Sequence, residues 1–202
     1  MTIDKVSEKI VSIIFSGNER YLKEVYAYGM SLILASTITT VFLLIIGLSI
    51  GCLVETVLFI ICFSFLRIFT GGLHSKSYIM CNIYTIVIFL WTISGYIFFN
   101  DFCGKLSIYG PVMLLSILLI KKKAPIENTQ KPIRPELYLF LKRKSLIVIL
   151  SESIILFISE LLGYTRMRII FPTIVVNDVL MIIACFINYE RRIFNEKMEH
   201  DD

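Results

Sequence analysis

Two residues seven positions apart carry the chemistry most worth pursuing in this chain. His74 and Cys81 lie in the stretch 67–81, R-I-F-T-G-G-L-H-S-K-S-Y-I-M-C. Cysteine attacks as its thiolate, which a nearby base or positive field must hold, and histidine titrates in the useful range. His74 is one of 2 histidines; the other, His200, falls in the polar C-terminal stretch. On one unbroken helix the pair would share a face yet sit about 10 Å apart along the axis. The imidazole would also lean toward the helix N-terminus, away from the sulfur. The Gly71–Gly72 pair allows a sharp turn that folds His74 back over the start of the next helix. With Cys81 in the first turns of that helix, its positive end would favour thiolate as well. The pairing therefore demands a non-helical segment around His74.

Plainer readings stand beside this one. A cysteine in an apolar helix is usually a small filler, which is the expectation for Cys52, Cys62 and Cys185. A histidine near a membrane interface is often a polar anchor, and Gly-Gly marks many loops without catalytic purpose. On H-x6-C alone the readings stay open. The zinc-hydrolase signature H-E-x-x-H is missing from the chain.

What must position these residues follows from composition. Of 202 residues, 56% are hydrophobic and 18% charged, with a mean hydropathy of +0.78. Soluble domains run less apolar and more charged. Disorder is excluded, because so much apolar surface cannot stay solvated. A secreted disulfide scaffold is excluded too, since the 5 cysteines are an odd count set inside long apolar runs. The expected class is an all-α polytopic membrane protein, because lipid leaves free backbone groups no partner. Six stretches approach the length needed to cross about 30 Å of hydrocarbon: 31–50, 52–69, 79–99, 106–120, 146–164 and 169–189. A tight turn around Gly47–Gly51 joins the first two.

Charge sets the orientation. With the N-terminus inside and six spans, 17 of the 20 lysines and arginines fall on the cytoplasmic side, and only Lys105, Arg166 and Arg168 fall outside. Both termini are therefore expected in the cytoplasm. The net charge of +4 is a topology signal, and no soluble surface is left for nucleic acid. Residues 1–30 read as a cytoplasmic amphipathic segment without a signal peptide, with Val6, Ile10, Ile13 and Ile14 at helical spacing. Residues 31–189 form the membrane domain, with a candidate catalytic inner loop at 67–81 and a basic inner loop at 121–144. Residues 190–202 form a polar tail. Pro125, Pro132 and Pro135 favour an extended or turn-rich basic loop. Its eight cations would meet anionic headgroups or an acidic peptide, or would serve topology alone. Glu55, Glu152, Glu160 and Asp178 lie inside apolar stretches, where a carboxylate is costly unless paired or facing water. For Asp178, beside Asn177, the readings are an orienter of His74, a partner for a base, a wall of a product path, or a plain helix–helix hydrogen bond.

The residues then reach a family pattern. Arg67, Gly71–Gly72, His74 and Cys81, in the order R…G-G-x-H-x6-C between two spans, resemble the accessory gene regulator protein B family. These are membrane cysteine endopeptidases that process quorum-sensing pheromone precursors. A second block, A-P-I-E-N-T-Q-K-P-I at 124–133, resembles the family's A-P…K-P-I loop. The resemblance implies that Cys81 is the nucleophile and His74 its general base, and that Arg67 and Gly72 match positions needed for activity. Gly71, Ser75, Lys131 and Pro132 join them as candidates for substrate contact or structural support. It implies no metal and no cofactor. The implied partners are a short pro-peptide precursor and membrane lipids; short bundles often associate, and the sequence leaves monomer and homodimer both open. The implied setting is the cell membrane, multi-pass, with the active site at the cytoplasmic face. There the enzyme would release the precursor's C-terminal part through a thioester and close a thiolactone autoinducing peptide. The rival class is a small peptide or ion transporter without covalent chemistry, which assigns no task to the His–Cys pair.

Overall fold

The computed structural model describes residues 3–14, 20–71, 78–99, 106–126 and 133–200. Among these residues seven helices follow one another: α1 (Ile3–Ile14), α2 (Arg20–Ile50), α3 (Leu53–Thr70), α4 (Tyr78–Phe99), α5 (Leu106–Lys123), α6 (Pro135–Leu161) and α7 (Ile170–His200). A single 3-10 turn, Thr165–Ile169, joins α6 to α7.

The tight connections have local causes. At the ends of α2 and α6 a glycine takes positive φ, Gly51 at 80° and Gly163 at 76°. The following amide then reaches back five residues: Cys52 N–H donates to the Gly47 carbonyl at 2.8 Å and Tyr164 N–H to the Ser159 carbonyl at 2.8 Å. Both are Schellman closures, which satisfy orphan carbonyls and reverse the chain. Pro135 opens α6, where its missing N–H costs nothing.

Two apolar clusters hold the bundle. One joins α3, α5, α6 and α7 through residues such as Leu66, Ile120, Ile149 and Ile174. The other joins α2, α3, α4 and the 3-10 turn around Leu43, Phe59, Phe63, Phe89 and Ile169. Phe59 lies at 5.2 Å from both the Phe63 and Phe89 rings. Helix α3 contributes to both clusters, so its far terminus is fixed from two sides. Outward, large apolar side chains such as Trp91 and Phe98 are exposed, as a lipid-facing surface requires.

Among the described residues four helical stretches are long and apolar enough to cross a membrane: Lys23–Ile50, Leu53–Thr70, Ile79–Phe98 and Thr165–Tyr189. The other two expected spans coincide with α5 and α6, which differ for physical reasons. Helix α5 is only 18 residues and ends on Lys121, Lys122 and Lys123. Helix α6 carries Glu152 and Glu160 in its apolar half, with Lys142, Arg143 and Lys144 before it. The first span also begins earlier than residue 31. Helix α2 has 31 residues, about 46 Å at 1.5 Å per residue. Its first turns pack against α1, where Ser7 and Val11 are buried and the Ser31 hydroxyl lies 2.8 Å from Ser7 Oγ and 3.2 Å from Asp4 Oδ1. The polar stretch expected from 190 continues α7 as helix to His200.

Candidate active site

Helix α3 stops where the sequence places its glycine pair. Gly71 takes φ 70° and ψ −155°, and its N–H donates to the Arg67 carbonyl at 3.2 Å, closing the last turn. Thr70 just before it is fully buried, its hydroxyl donating to the Leu66 carbonyl at 2.8 Å. The chain leaving α5 meets this terminus. Ala124 N–H extends α5 to the Ile120 carbonyl at 2.9 Å, and the Ala124–Pro125 peptide is cis. Ile126 N–H then donates to the Thr70 carbonyl at 2.9 Å, and Gly71 and Ile126 form a parallel β-bridge. The approach needs glycine: a Cβ on Gly71 would stand 2.5 Å from the Ile126 carbonyl oxygen. The two sequence blocks, separate along the chain, thus meet by backbone pairing.

Beside this junction, α4 starts at Tyr78 and presents Cys81 in its first turn. Cys81 is exposed, whereas Cys62 is buried and Cys52 and Cys185 are half-buried. Its carbonyl accepts the Thr85 hydroxyl at 2.9 Å, so the main chain is tied while the thiol stays open. Arg67, in the last turn of α3, buries one guanidinium nitrogen and lies within electrostatic range of the Cys81 sulfur. The arrangement therefore offers an accessible sulfur at a positive helix end with a cation nearby, the setting a thiol nucleophile uses.

Of the residues singled out by sequence, Arg67, Gly71 and Cys81 come together here. Gly72, His74, Ser75, Lys131 and Pro132 lie outside the described residues, so the His74–Cys81 pairing does too. What the sequence reading missed is the contribution of Thr70, Ala124 and Ile126. The Ala124–Pro125 block was visible, but nothing in its spacing says that the next amide closes onto α3.

The four carboxylates within apolar stretches divide into two kinds. Two are paired at the opposite end of the bundle, by the arginines of the 3-10 turn. Arg168 grips Glu160 with Nε at 2.7 Å from Oε1 and Nη2 at 3.3 Å from Oε2, and the Tyr109 hydroxyl donates to the same Oε1 at 3.4 Å. Arg166 Nε stands 3.9 Å from Glu55 Oε1, which also accepts the Tyr96 hydroxyl at 3.4 Å. The other two lie mid-helix. Asp178 accepts the Ser116 hydroxyl across α7 and α5, the helix–helix bond that was the plainest expectation for it. Glu152 is buried, and its Oε2 has no hydrogen-bond partner among the described residues. Asn177 is fully buried with neither amide atom partnered among them.

The profile of the family described as Accessory gene regulator B matches residues 3–188. The chain belongs to the accessory gene regulator B family. Among its relatives, AgrB-like protein 2 of Clostridium perfringens (strain 13 / Type A) is 29% identical over 138 residues, covering 65% of this chain and 62% of that protein. Accessory gene regulator protein B of Staphylococcus intermedius is 30% identical over 123 residues, 59% of this chain and 62% of that one. AgrB-like protein 1 of the first organism is 27% identical over 175 residues, 86% and 89% of the two chains. The match thus spans 62% of the length of the first of these relatives. No solved structure matches the chain.

Proposed function

We propose that this member of the family is a membrane-embedded cysteine endopeptidase that processes a short peptide pheromone precursor for quorum sensing. Family membership supports the quorum-sensing processing role. One observation carries the finer reading: the Gly71–Ile126 bridge joins both motif blocks beside the α4 turn that exposes Cys81. In this proposal six helices cross the cell membrane with both termini inside, as the 17-to-3 distribution of cations favours. The site then opens to the cytoplasmic face.

The steps balance as an acyl transfer. His74 takes the proton of the Cys81 thiol, and Sγ adds to the carbonyl carbon of the scissile peptide bond. The C–N bond breaks, the leaving amine takes the proton from His74, and the C-terminal fragment departs. The acyl group stays on Cys81 as a thioester, which keeps its reactivity. A cysteine thiol of the bound precursor adds to that carbonyl, passing its proton to His74, and Cys81 leaves. The product is a thiolactone ring. Excluding water from a site at the membrane edge favours this second attack over hydrolysis. Arg67 would hold negative charge at the sulfur or at the developing oxyanion.

The transporter reading has its own observation, the buried polar atoms of Glu152 and Asn177 that have no partner among the described residues. Substitution separates the two. In nanodiscs, alkylation of Cys81 followed by peptide mass mapping reports its reactivity, with Cys52, Cys62 and Cys185 as internal controls. The expected result at neutral pH is that Cys81 reacts fastest and that His74→Ala slows it about tenfold or more. Cys81→Ser should abolish precursor cleavage. A variant with Cys81→Ser that still processes precursor, or a Cys81 rate indifferent to His74, would overturn the endopeptidase proposal.

A further inference from the structure

Helices α3, α6, α5 and α7 pack in a ring: α3 and α5 each touch both α6 and α7, while α6 and α7 face each other across the middle in lighter contact. Each helix sends one stripe of side chains to the shared core. In three stripes a buried polar residue interrupts the apolar ones. Ser116 falls between Met113 and Ile120 on α5, Glu152 between Ile149 and Leu156 on α6, and Asn177 between Ile174 and Met181 on α7. The fourth, α3, brings Cys62 within electrostatic range of Glu152. The interruptions share a depth. Counted at about 1.5 Å per residue from the junction of Arg168, Glu160 and Tyr109, Ser116 lies about 10 Å in, Glu152 about 12 Å and Asn177 about 14 Å. Asp178, next on α7, accepts the Ser116 hydroxyl. A polar layer thus crosses the axis of an otherwise apolar bundle. Four of its buried atoms have no hydrogen-bond partner among the described residues: Glu152 Oε2, Asn177 Oδ1 and Nδ2, and Asp178 Oδ1. Asn177 is fully buried. Bare polar atoms at that depth are costly, so they call for a ligand.

We propose that this layer binds a sodium ion, held by Glu152 Oε2, Asn177 Oδ1, Asp178 Oδ1 and the Ser116 hydroxyl oxygen. The proposal stands on the bundle and does not depend on the endopeptidase reading. The donors select the ligand. All four are oxygens, which hard cations take. A water carried in by the ion accepts from Asn177 Nδ2. Among the described residues no three His, Cys, Asp or Glu side chains form a group that could hold a metal ion, so the layer lacks the richer donor sets of calcium and zinc sites. Potassium is held by rings of backbone carbonyls; α5, α6 and α7 run unbroken through the layer and keep theirs in their own helices. The nearest arginines are engaged elsewhere. Arg166 and Arg168 meet Glu55 and Glu160 at the end of the bundle, and Arg67 interacts with Cys81. A bound cation therefore supplies the positive charge that Glu152 and Asp178 lack, and it ties α6 to α7 across the ring.

The test uses the full chain in phosphatidylcholine nanodiscs, with sodium, potassium and choline chloride compared at equal ionic strength and fixed pH. Sodium should raise the unfolding temperature saturably, by about 4 °C at ten times its dissociation constant, and choline should not. Radiosodium should bind the wild-type chain above empty discs, and unlabelled sodium should displace it at least tenfold more readily than potassium. Glu152→Gln should weaken radiosodium binding about tenfold or more and remove the sodium shift, and Asn177→Leu should do the same. Glu136→Gln, which removes an exposed carboxylate from the first turn of the same helix, should leave both readouts at their wild-type values. The wild type alone can sink the idea: no sodium-specific shift and no binding above empty discs overturns it, whether or not the variants fold. Undiminished binding in Glu152→Gln overturns it as well. So does an unfolding temperature that follows pH and ignores sodium, since Glu152 would then hold a proton instead.

Discussion

At the end of the bundle that presents Cys81, main chain meets main chain: the Thr70 carbonyl takes the Ile126 amide, and Gly71 leaves no room for a side chain. At the opposite end the joint is made by side chains. Two arginines on the 3-10 turn reach Glu55 of α3 and Glu160 of α6, and Tyr96 of α4 and Tyr109 of α5 complete the pairs. The second end thus ties four helices together by ion pairs and hydrogen bonds, and gives partners to the carboxylates that α3 and α6 would otherwise carry bare. The first end fixes its geometry by backbone alone, which keeps the exposed thiol of Cys81 and the lysines closing α5 available to other molecules. For the proposed endopeptidase that division is useful: rigidity at one end, unspent functional groups at the other.

The strongest way to break the contrast is at Gly71. Gly71→Val adds a branched side chain at φ 70°, with its first carbon 2.5 Å from a backbone oxygen that cannot rotate away. Left-handed strain and lost backbone pairing together are expected to cost about 3 kcal/mol. Precursor processing should be abolished, and the Ile126 amide should lose protection in hydrogen exchange. The Arg168–Glu160 pair should persist, since it lies at the other end. If Ile126 stays protected in the variant, the bridge is not what holds the A-P-I segment.

Much of this was legible in the sequence, and the illegible part has a common cause. Apolar runs announce helices because lipid forces backbone bonds inside each segment, and glycines announce their ends. Gly51 and Gly71 stand at real helix ends. Cys81 could be placed near a helix start, since the glycine pair precedes it. The spacing could not show that 70–71 and 124–126 pair, because backbone bridges between distant segments leave no periodic trace. It could not assign partners to Glu55 and Glu160 either. Arg166 and Arg168 read as topology markers, and only the antiparallel return of α3 and α6 brings carboxylates to them. The early start of α2 escaped because the polar residues before Ser31 read as part of the N-terminal amphipathic segment, whereas the helix runs unbroken from Arg20.

Smaller effects should come from the ion-paired end, and they should not reach Cys81. Arg168 and Glu160 side chains are 19% and 10% exposed and meet through two hydrogen bonds. Glu160→Gln leaves that guanidinium partly buried against a neutral amide, an expected loss of about 2 kcal/mol seen as a lower unfolding temperature in detergent. Cys81 alkylation should keep its wild-type rate; a parallel fall would mean the two ends are coupled.

The weakest contact sharpens the comparison most. Arg166 is 64% exposed and stands 3.9 Å from Glu55, so solvent screens most of the attraction. A double-mutant cycle with Arg166→Gln and Glu55→Gln should return a coupling energy below about 1 kcal/mol. Glu55→Gln alone should do more than Arg166→Gln alone, because Glu55 is buried and also accepts the Tyr96 hydroxyl. If the cycle instead returns a coupling as large as that of Arg168 with Glu160, Arg166 closes over Glu55 in solution. The far end would then be held by two equal pairs, and the carboxylate of α3 would be as well compensated as that of α6.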